Sequence, residues 1–194
     1  MIGLIQRVLI DHVESHYGEA AVDRIAAQAG VSSPGRRIDT DYDDADTLAF
    51  FEAAGDYLEL HHEALMTLYA DLFINWTRRH YPMFFSMADS AQAFLGRQPA
   101  IHASLGAGIR DPDLRSRVND KFRVVDQSEG ALIVEYRSAN GLCSLYRALF
   151  ARVLAEYAQS GELAETRCRH RGDDCCRFEM TFATGPGSLS GSVA

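Results

Sequence analysis

The sequence contains a single lysine in 194 residues, Lys121, so arginine carries almost all of its basic charge. With 27 acidic residues against 19 basic ones, the formal net charge is -8. A protein whose main partner is a nucleic acid needs clustered basic residues to neutralise phosphates. This charge balance therefore argues against nucleic acid as a partner.

Long apolar segments are also missing. No apolar run approaches the roughly 20 residues that a membrane-spanning helix needs, and the first segment reaches His12 and Glu14 too early for a secretory leader. We therefore expect a cytoplasmic protein without a membrane partner. The sequence has no internal repeat, no glycine-rich phosphate loop and no serine-nucleophile elbow. No pair of nucleophile and base stands out, so we do not expect an enzyme.

What the sequence does contain is a helical first half and a strand-rich second half. Apolar residues recur at helical spacing over 2–17, helix formers fill 48–81 with Gly55 as the one interruption, and 89–106 is also helical in pattern. Four later segments, FRVVD, ALIVEYRS, LAETRCRH and CCRFEMTF, predict two hairpins. A strongly amphipathic helix over 142–157 separates the hairpins.

This order predicts an α+β fold in a single domain over residues 1–182. A helical N-terminal lobe is followed by a small antiparallel sheet of about four strands, which the long helix crosses. We place the helical subdomain at about 1–65 and the sheet subdomain at about 66–182. The segment ATGPGSLSGSVA, 183–194, is small and polar and is expected to be disordered.

Among the seven histidines, His102 has the setting most typical of a ligand. It lies between Ile101 and Ala103, beside an apolar face of a predicted helix. A lone histidine in such a place is more often a satisfied core residue. If it is a ligand, one neutral imidazole nitrogen is what a five-coordinate haem iron needs on its proximal side. Spacing alone leaves both interpretations open.

The stretch VEYRSANGLC, 134–143, places two hydroxyl side chains at the end of a strand. Tyr136 and Ser138 are two residues apart and therefore share a strand face. Their hydroxyls can converge on one acceptor, which is either a ligand or the backbone of the protein. The strand breaks at Asn140 and Gly141, before the long helix.

Together these residues resemble the haem-nitric oxide/oxygen-binding (H-NOX) family, from Met1 to about Phe182. The Met-x-Gly-x-Ile start of the family is present as MIGLI, its Tyr-Gly-Glu signal as HYGEA, and its histidine about a hundred residues in as IHASL. The Tyr-x-Ser-x-Arg motif of the family is matched at Tyr136 and Ser138, whereas Asn140 replaces the arginine.

The resemblance implies that His102 binds the iron of haem b and that Tyr136, Ser138 and Asn140 contact the haem propionates. Asn140 lacks the positive charge of the family's arginine. Because neutral hydrogen bonds are weaker than charge-assisted ones, we expect weaker haem retention. Arg137 lies on the other strand face and needs a local twist to substitute. The alternative is a decayed pocket, in which Tyr136 and Ser138 serve only the sheet.

The resemblance also bears on which gas is bound. Oxygen-binding members carry a distal tyrosine five residues beyond the arginine of the motif, where this chain has Leu145. Ile5, Leu9 and Leu149 should also face the haem, and all are apolar. A pocket without hydrogen-bond donors favours nitric oxide or carbon monoxide over dioxygen. We therefore predict a nitric oxide sensor. Tyr146 is the main challenge to that prediction, because it lies only about 100° further round the helix and carries a hydroxyl of the kind found in oxygen-binding members.

Signalling is expected to occur in trans, since the chain holds no effector domain. By resemblance to bacterial stand-alone members, the partner is a histidine kinase or a cyclic-di-GMP enzyme, that is, a diguanylate cyclase or a phosphodiesterase. Nitric oxide would strain or break the iron–histidine bond, and the helix around His102 would then shift against the N-terminal lobe.

The four cysteines, Cys143, Cys168, Cys175 and Cys176, border the second hairpin. Some bacterial members of the family are similar here and carry a cysteine zinc site, proposed as a thiol redox switch. Four thiolates suit tetrahedral zinc, with His170 as a substitute for one of them. However, the spacing is not that of a standard zinc knuckle, so buried or free thiols are the alternative. A haem-free thiol or zinc redox sensor on the same fold is the second function considered.

Overall fold

The computed structural model describes residues 3–38 and 40–183, and helices give way to strands as predicted. The helices are α1 (Leu4–Tyr17), α2 (Glu19–Ala29), α3 (Asp44–Tyr57), α4 (His62–His80), α5 (Pro82–Ser86), α6 (Ala91–Gly96), α7 (Gln98–Gly106), α8 (Pro112–Asn119) and α9 (Cys143–Glu156). The strands are β1 (Phe122–Ser128), β2 (Ala131–Tyr136), β3 (Gly161–Arg167) and β4 (Cys176–Phe182). The predicted α+β fold is confirmed. Of the tail predicted to be disordered, 183–194, only Ala183 is among the described residues, and the rest of that prediction lies outside them.

The four strands form one antiparallel sheet in the order β1-β2-β4-β3. Tyr136, at the end of β2, is paired with Phe122 on one side and with Cys176 on the other. α9 leaves the sheet after β2 and returns the chain to the far edge at β3. The two ends of α9 are therefore tied to the strands that carry the predicted site residues.

The break in the long helical segment falls later than predicted. It lies at residues 58–61, between α3 and α4, and Glu59 there has a φ of 55°. Gly55 instead remains inside α3. A Cβ atom at Gly55 would lie 3.3 Å from both the Leu60 carbonyl oxygen and Leu65 Cδ2, so the glycine permits close packing of the turn.

The predicted helix over 89–106 is divided into α6 and α7 at Arg97. Ser90 caps α6, since its Oγ accepts a hydrogen bond from Ala93 N at 3.1 Å. Pro99 stands in the first turn of α7, where a missing N–H costs no helical hydrogen bond. The proline thus fixes the start of the short helix that carries His102.

Two large clusters of buried side chains form the core, and Ile109, Leu114 and Val118 form a third, small one. The helical cluster comes mainly from α1 to α4, and the sheet cluster from β2, β4, α6 and α9. Leu9, Ile10 and Phe50 have no exposed surface, and burying each such side chain contributes about 1.5–3 kcal/mol. α9 joins the clusters, because Leu145 packs in the first and Tyr146 in the second.

Buried hydrogen bonds hold α1 against its neighbours. Gln6 Nε2 donates to Thr47 Oγ1 at 2.7 Å, and the hydroxyl of Tyr69 donates to the Ile5 carbonyl at 2.9 Å. Satisfied polar groups of this kind fix the relative position of helices that apolar contacts alone would leave less defined. Within the described residues, no helix combines the length and apolar character needed to cross a membrane.

Candidate functional site

A largely apolar cavity of about 160 Å³ lies where residues of the helical and sheet clusters meet. Its apolar walls include Ile5, Phe73, Ile74, Phe84, Leu145 and Leu149. Few polar side chains reach it, among them Thr77, Gln98, His102 and Lys121. A cavity of this composition suits an apolar ligand that is held at a small number of polar points.

His102 lies in the wall of this cavity, on α7. Its imidazole packs against the ring of Phe122 in β1, with ring centroids 4.7 Å apart. Burial, followed by the positive charge of Lys121, lowers the pKa of His102 to about 3 and outweighs the opposing effect of the Val118 backbone. The ring therefore stays neutral near pH 7, which is the form that binds a metal ion.

The Nδ1 atom of His102 is buried and forms no hydrogen bond within the described part of the chain. Leaving such an atom unsatisfied costs about 1–3 kcal/mol, so each case in a native structure calls for an explanation. Here the Val118 backbone lies close enough to favour the charged form of the ring. The buried Nδ1 therefore faces the protein, and Nε2 is the nitrogen left for a ligand in the cavity. A neutral, unsatisfied imidazole in an apolar wall fits the proximal position of a haem iron.

Tyr136 and Ser138 lie together at the end of β2, and both are buried, with 4% and 7% of their surface exposed. Tyr136 lines the apolar cavity, whereas Ser138 lines an adjoining polar cavity of about 750 Å³. Burial raises the pKa of Tyr136 to about 12, so the phenol remains a hydrogen-bond donor. Ser138 Oγ accepts from Asn140 N at 3.3 Å, and a hydrogen bond from Ser138 opposes the effect of burial on the pKa of Tyr136.

Asn140 also lines the polar cavity, in the turn that leads into α9. Arg137 was expected to need a local twist before it could take the place of the missing arginine. It lines the polar cavity together with Ser138 and Asn140. Its exposed guanidinium lies 2.7 Å from Glu135 Oε2, so an ion pair already engages its charge.

Three of the four apolar residues predicted to face the ligand line the cavity. These are Ile5, Leu145 and Leu149. Leu9 does not reach the cavity and is wholly buried in the helical cluster, so the prediction for this residue differs from the structure. The resemblance to the family implied Leu9 together with Ile5, which is one helical turn earlier on α1, but the cavity does not extend that far along the helix.

The cavity also contains a hydroxyl that the sequence did not single out. Thr77 of α4 lines it, and Thr77 Oγ1 is buried without a hydrogen-bond partner in residues 3–38 and 40–183. A threonine inside a helix commonly donates to the carbonyl four residues earlier. Thr67 in the same helix does so, to Glu63 O at 3.0 Å. The pocket predicted to lack donors therefore holds a buried hydroxyl that is not engaged, and Tyr81 adds a phenol to its wall.

Tyr146 lines the cavity, but its hydroxyl is already bound. It donates to Gln98 Oε1 at 3.0 Å and lies 3.8 Å from Met180 Sδ. Its ring stacks on Phe178, with centroids 4.1 Å apart. Burial raises the pKa of the phenol above its ordinary value. Because Gln98 is the first residue of α7, this hydrogen bond joins α9 to the helix that carries His102.

A second candidate site lies where α9 begins. One ligand atom each from Cys143, Glu165, Cys168 and Cys176 lies within 4.8 Å of all the others. The Cys143 and Cys168 sulfurs are 3.7 Å apart, and the three thiols are buried and unoxidised. Four ligands at this spacing, three of them sulfur, are typical of a closed tetrahedral zinc site.

Glu165 of β3 was not predicted as a member of this group. Only 3% of its side chain is exposed, Oε2 pairs with Arg147, and Oε1 has no partner in the described residues. Burial favours a raised pKa for Glu165, but hydrogen bonds from Cys168 and Arg147 outweigh it and lower the pKa. Burial raises the pKa of Cys143 to about 12, so zinc binding would displace a thiol proton.

Cys175 and His170, both predicted as possible ligands, lie outside this group. His170 Nε2 is 2.8 Å from the carbonyl oxygen of Gly141. Cys175 directly precedes Cys176, the first residue of β4. Burial, followed by the negative charge of Glu135, raises the pKa of its thiol. Adjacent residues of an extended chain point to opposite faces, so only one of the two cysteines joins the cluster.

Comparison with known proteins finds the same architecture. Residues 2–163 match the family model described as haem-NO-binding, and no curated protein matches the chain. The H-NOX protein from S. oneidensis in the Fe(II)NO ligation state has a TM-score of 0.76 at 16% identity, covering 95% of this chain and 100% of that one. The Fe(II) unliganded H-NOX protein from K. algicida has a TM-score of 0.76 at 18% identity, covering 97% and 100%.

A third solved structure extends the comparison to another ligand. The NMR structure of the H-NOX domain from Shewanella oneidensis in the Fe(II)CO ligation state has a TM-score of 0.75 at 15% identity, and covers 95% of this chain and 99% of that one. At such identities the likeness establishes a shared fold.

Proposed function

Because this chain belongs to the haem-NO-binding family, we propose that it is a haem-based sensor of nitric oxide. The match confirms the resemblance predicted from the motifs. The observation that carries the functional proposal is His102, a neutral imidazole in the wall of an apolar cavity.

The residues present fit haem b. His102 would hold the iron, the apolar walls would enclose the ring, and Tyr136 and Ser138 would donate hydrogen bonds to its carboxylates. When bound, haem would supply an open coordination position for a diatomic gas. The chain itself supplies one ligand, an orientation and the exclusion of water.

We propose nitric oxide as the signal and carbon monoxide as a further ligand. Dioxygen is retained where a donor stabilises it, whereas the other two gases have less need of one. Ile5, Leu145 and Leu149 offer no donor, and the Tyr146 hydroxyl is bound to Gln98. Three further hydroxyl side chains line the cavity, on Thr77, Tyr81 and Tyr136. Tyr136 is assigned to the haem carboxylates, and Thr77 is an alcohol and therefore a weaker acid than a phenol. The S. oneidensis protein has been solved with nitric oxide and with carbon monoxide.

α7 is the element through which the cavity can affect the surface. This nine-residue helix carries His102 on the cavity side and leaves Ala103 and Ser104 exposed. The Tyr146–Gln98 hydrogen bond ties its first turn to α9. A shift of α7 would change the exposed face beside it. We propose that a histidine kinase or a cyclic-di-GMP enzyme responds to that change.

The haem proposal is tested by absorption spectroscopy. The protein supplied with haem should show a Soret band that shifts on addition of nitric oxide. His102→Gly should abolish the band, and free imidazole should restore it by supplying the missing nitrogen. His16→Gly, at an exposed histidine of α1, serves as the control and should keep the band. A wild-type protein that remains colourless after haem addition contradicts the proposal.

The signalling proposal is tested by reconstitution with a purified partner. Kinase autophosphorylation, or synthesis and hydrolysis of cyclic-di-GMP, should change when the haem-loaded protein is given nitric oxide. The His102→Gly protein should produce no such change. Equal partner activity with and without nitric oxide would remove this part of the proposal.

We propose a zinc ion as the occupant of the second site. The observation that favours it is the grouping of Cys143, Cys168 and Cys176 with Glu165. The alternative function, a haem-free thiol or zinc redox sensor, depends on this site alone. It would be preferred if the protein bound zinc, released it on thiol oxidation and took up no haem.

A further inference from the structure

Lys121, the single lysine of the chain, stands where the apolar and polar cavities meet. It lies between α8 and β1 and lines both cavities, as do its neighbours Val118 and Phe122. His102 lines only the apolar cavity, and Asn140 only the polar one. The lysine therefore stands at the boundary between the predicted iron ligand and the predicted carboxylate contacts.

The backbone fixes Lys121 beside the end of β2. Its carbonyl oxygen accepts a hydrogen bond from Arg137 N at 2.8 Å, and the next residue, Phe122, pairs with Tyr136. These contacts place Lys121 across from the strand segment that carries Tyr136 and Ser138. Its position relative to the two hydroxyls is set by the sheet and not by a mobile loop.

The other basic side chains around the polar cavity already have acidic partners. Arg117 pairs with Asp41, and Arg123 and Arg137 both pair with Glu135. Among the described residues, the Lys121 side chain forms no hydrogen bond and no ion pair within 4.0 Å; Asp44 and Asp41, in the wall of the same cavity, attract its charge from further away. Its ammonium group is partly removed from water, and burial lowers its pKa despite that attraction. A cation in this condition gains from a carboxylate brought next to it.

We propose that the Lys121 ammonium supplies the positive charge that Asn140 lacks, and that it binds one of the carboxylates of the haem. The inference rests on the proposed haem function. It names the residue that allows haem to be retained without the arginine of the Tyr-x-Ser-x-Arg motif. Lysine acts as a point charge on a flexible stem, whereas arginine offers a planar fork. It can therefore take over the charge from a different place in the fold without matching the arginine's geometry.

The first experiment measures the rate at which haem leaves the protein, by transfer to an excess of a haem-scavenging apoprotein. Lys121→Met should release haem about 10- to 100-fold faster than wild type, as expected for loss of one charge-assisted hydrogen bond. Arg123→Met removes the same charge two residues away and should change the rate little. Lys121→Arg should retain haem, and Asn140→Arg added to Lys121→Met should restore retention.

The second experiment separates charge pairing from packing and needs no iron. Binding of protoporphyrin IX is compared with binding of its dimethyl ester, in which both carboxylates are neutral, by fluorescence. Lys121→Met should weaken binding of the acid and leave binding of the ester unchanged. Circular dichroism and the melting temperature of the ligand-free variant should match those of wild type.

Two results would overturn the inference while leaving the haem function intact. One is equal haem release by wild type and Lys121→Met. The other is equal weakening of acid and ester binding, which would make Lys121 a packing residue. If wild type takes up neither haem nor protoporphyrin, the proposed function fails and this inference fails with it.

Discussion

The two candidate metal sites stand at opposite ends of one turn, and they differ in how completely the protein surrounds a metal. Tyr136 ends β2 at the apolar cavity, and Cys143 begins α9 at the cysteine–glutamate cluster. The cavity offers one imidazole, from His102, among apolar walls. The cluster offers four ligand atoms within 4.8 Å of one another.

The difference in ligand number predicts a difference in role. One protein ligand leaves the remaining positions of an iron to the porphyrin and to a gas, which is what sensing requires. Four protein ligands close the coordination sphere of zinc, which is typical of a structural site or a thiol switch. Ser138 and Asn140 lie in the turn that the cluster would hold. A filled cluster is therefore expected to steady the contacts at the cavity.

The largest effect should come from removing one ligand of the closed site. Cys168→Ser should weaken zinc binding by at least about 100-fold, because second-shell changes alone commonly cost 10- to 100-fold. The affinity is measured by competition with a chromophoric chelator. Cys175→Ser removes a buried thiol outside the cluster and should leave the affinity unchanged. Equal losses in the two variants would mean that the cluster is wrongly composed.

A smaller effect is expected at the proposed haem site, where a substitution at Asn140 changes the charge and removes no metal ligand. Asn140→Arg should slow haem loss about 10-fold, since it adds a charge-assisted hydrogen bond to the one proposed for Lys121. Ala151→Arg places the same charge on an exposed position of α9 outside both cavities and is the control. If Asn140→Arg leaves haem loss unchanged, the assignment of Tyr136, Ser138 and Asn140 to the haem carboxylates is undermined.

The connection between α9 and α7 can be weakened without changing a candidate metal ligand at either site. Tyr146→Phe removes the hydrogen bond to Gln98 and leaves that acceptor unsatisfied, so the free energy of unfolding should fall by about 1–2 kcal/mol. Chemical denaturation measures it, with Tyr17→Phe, at a side chain 52% exposed, as the control. The preference for nitric oxide over dioxygen should not change. A gain in dioxygen binding would contradict our assignment of Leu145 as the deciding position.

The smallest effect should appear at the unengaged hydroxyl in the cavity. Thr77→Val replaces a buried hydroxyl without a partner and should raise the stability of the ligand-free protein by up to about 1 kcal/mol. Thr67→Val, in the same helix, removes a hydroxyl that is hydrogen-bonded and should not stabilise. If both substitutions destabilise equally, Thr77 has a partner in the folded protein and is not available to a ligand.

Much of the cavity site followed from local sequence. The two-residue spacing of Tyr136 and Ser138 brought them together as candidates, and they line adjoining cavities. Ile5, Leu145 and Leu149, which the resemblance to the family implied, line the apolar cavity. Short motifs do not show where a cavity ends, which is why Leu9 was assigned to it.

The residues that were missed owe their roles to contacts between distant segments. Glu165 meets the cysteines because β3 pairs with β4 and α9 begins beside them. Thr77 lines the cavity with a buried hydroxyl that has no partner in the described residues, whereas Thr67 of the same helix is exposed and hydrogen-bonded. Lys121 matters because β1 brings it beside the end of β2. None of these relations is encoded in spacing along the chain.

By itself, the sequence determined the α+β order of elements, the match to the family and the candidate ligand His102. Hydrophobic periodicity and short motifs are local properties, so they survive in the absence of a structure. Only the tertiary structure decided that Glu165 and not Cys175 completes the cluster, and that Lys121 stands between the cavities. Those outcomes depend on which strands pair and which groups remain unsatisfied after packing, and both are properties of the folded chain.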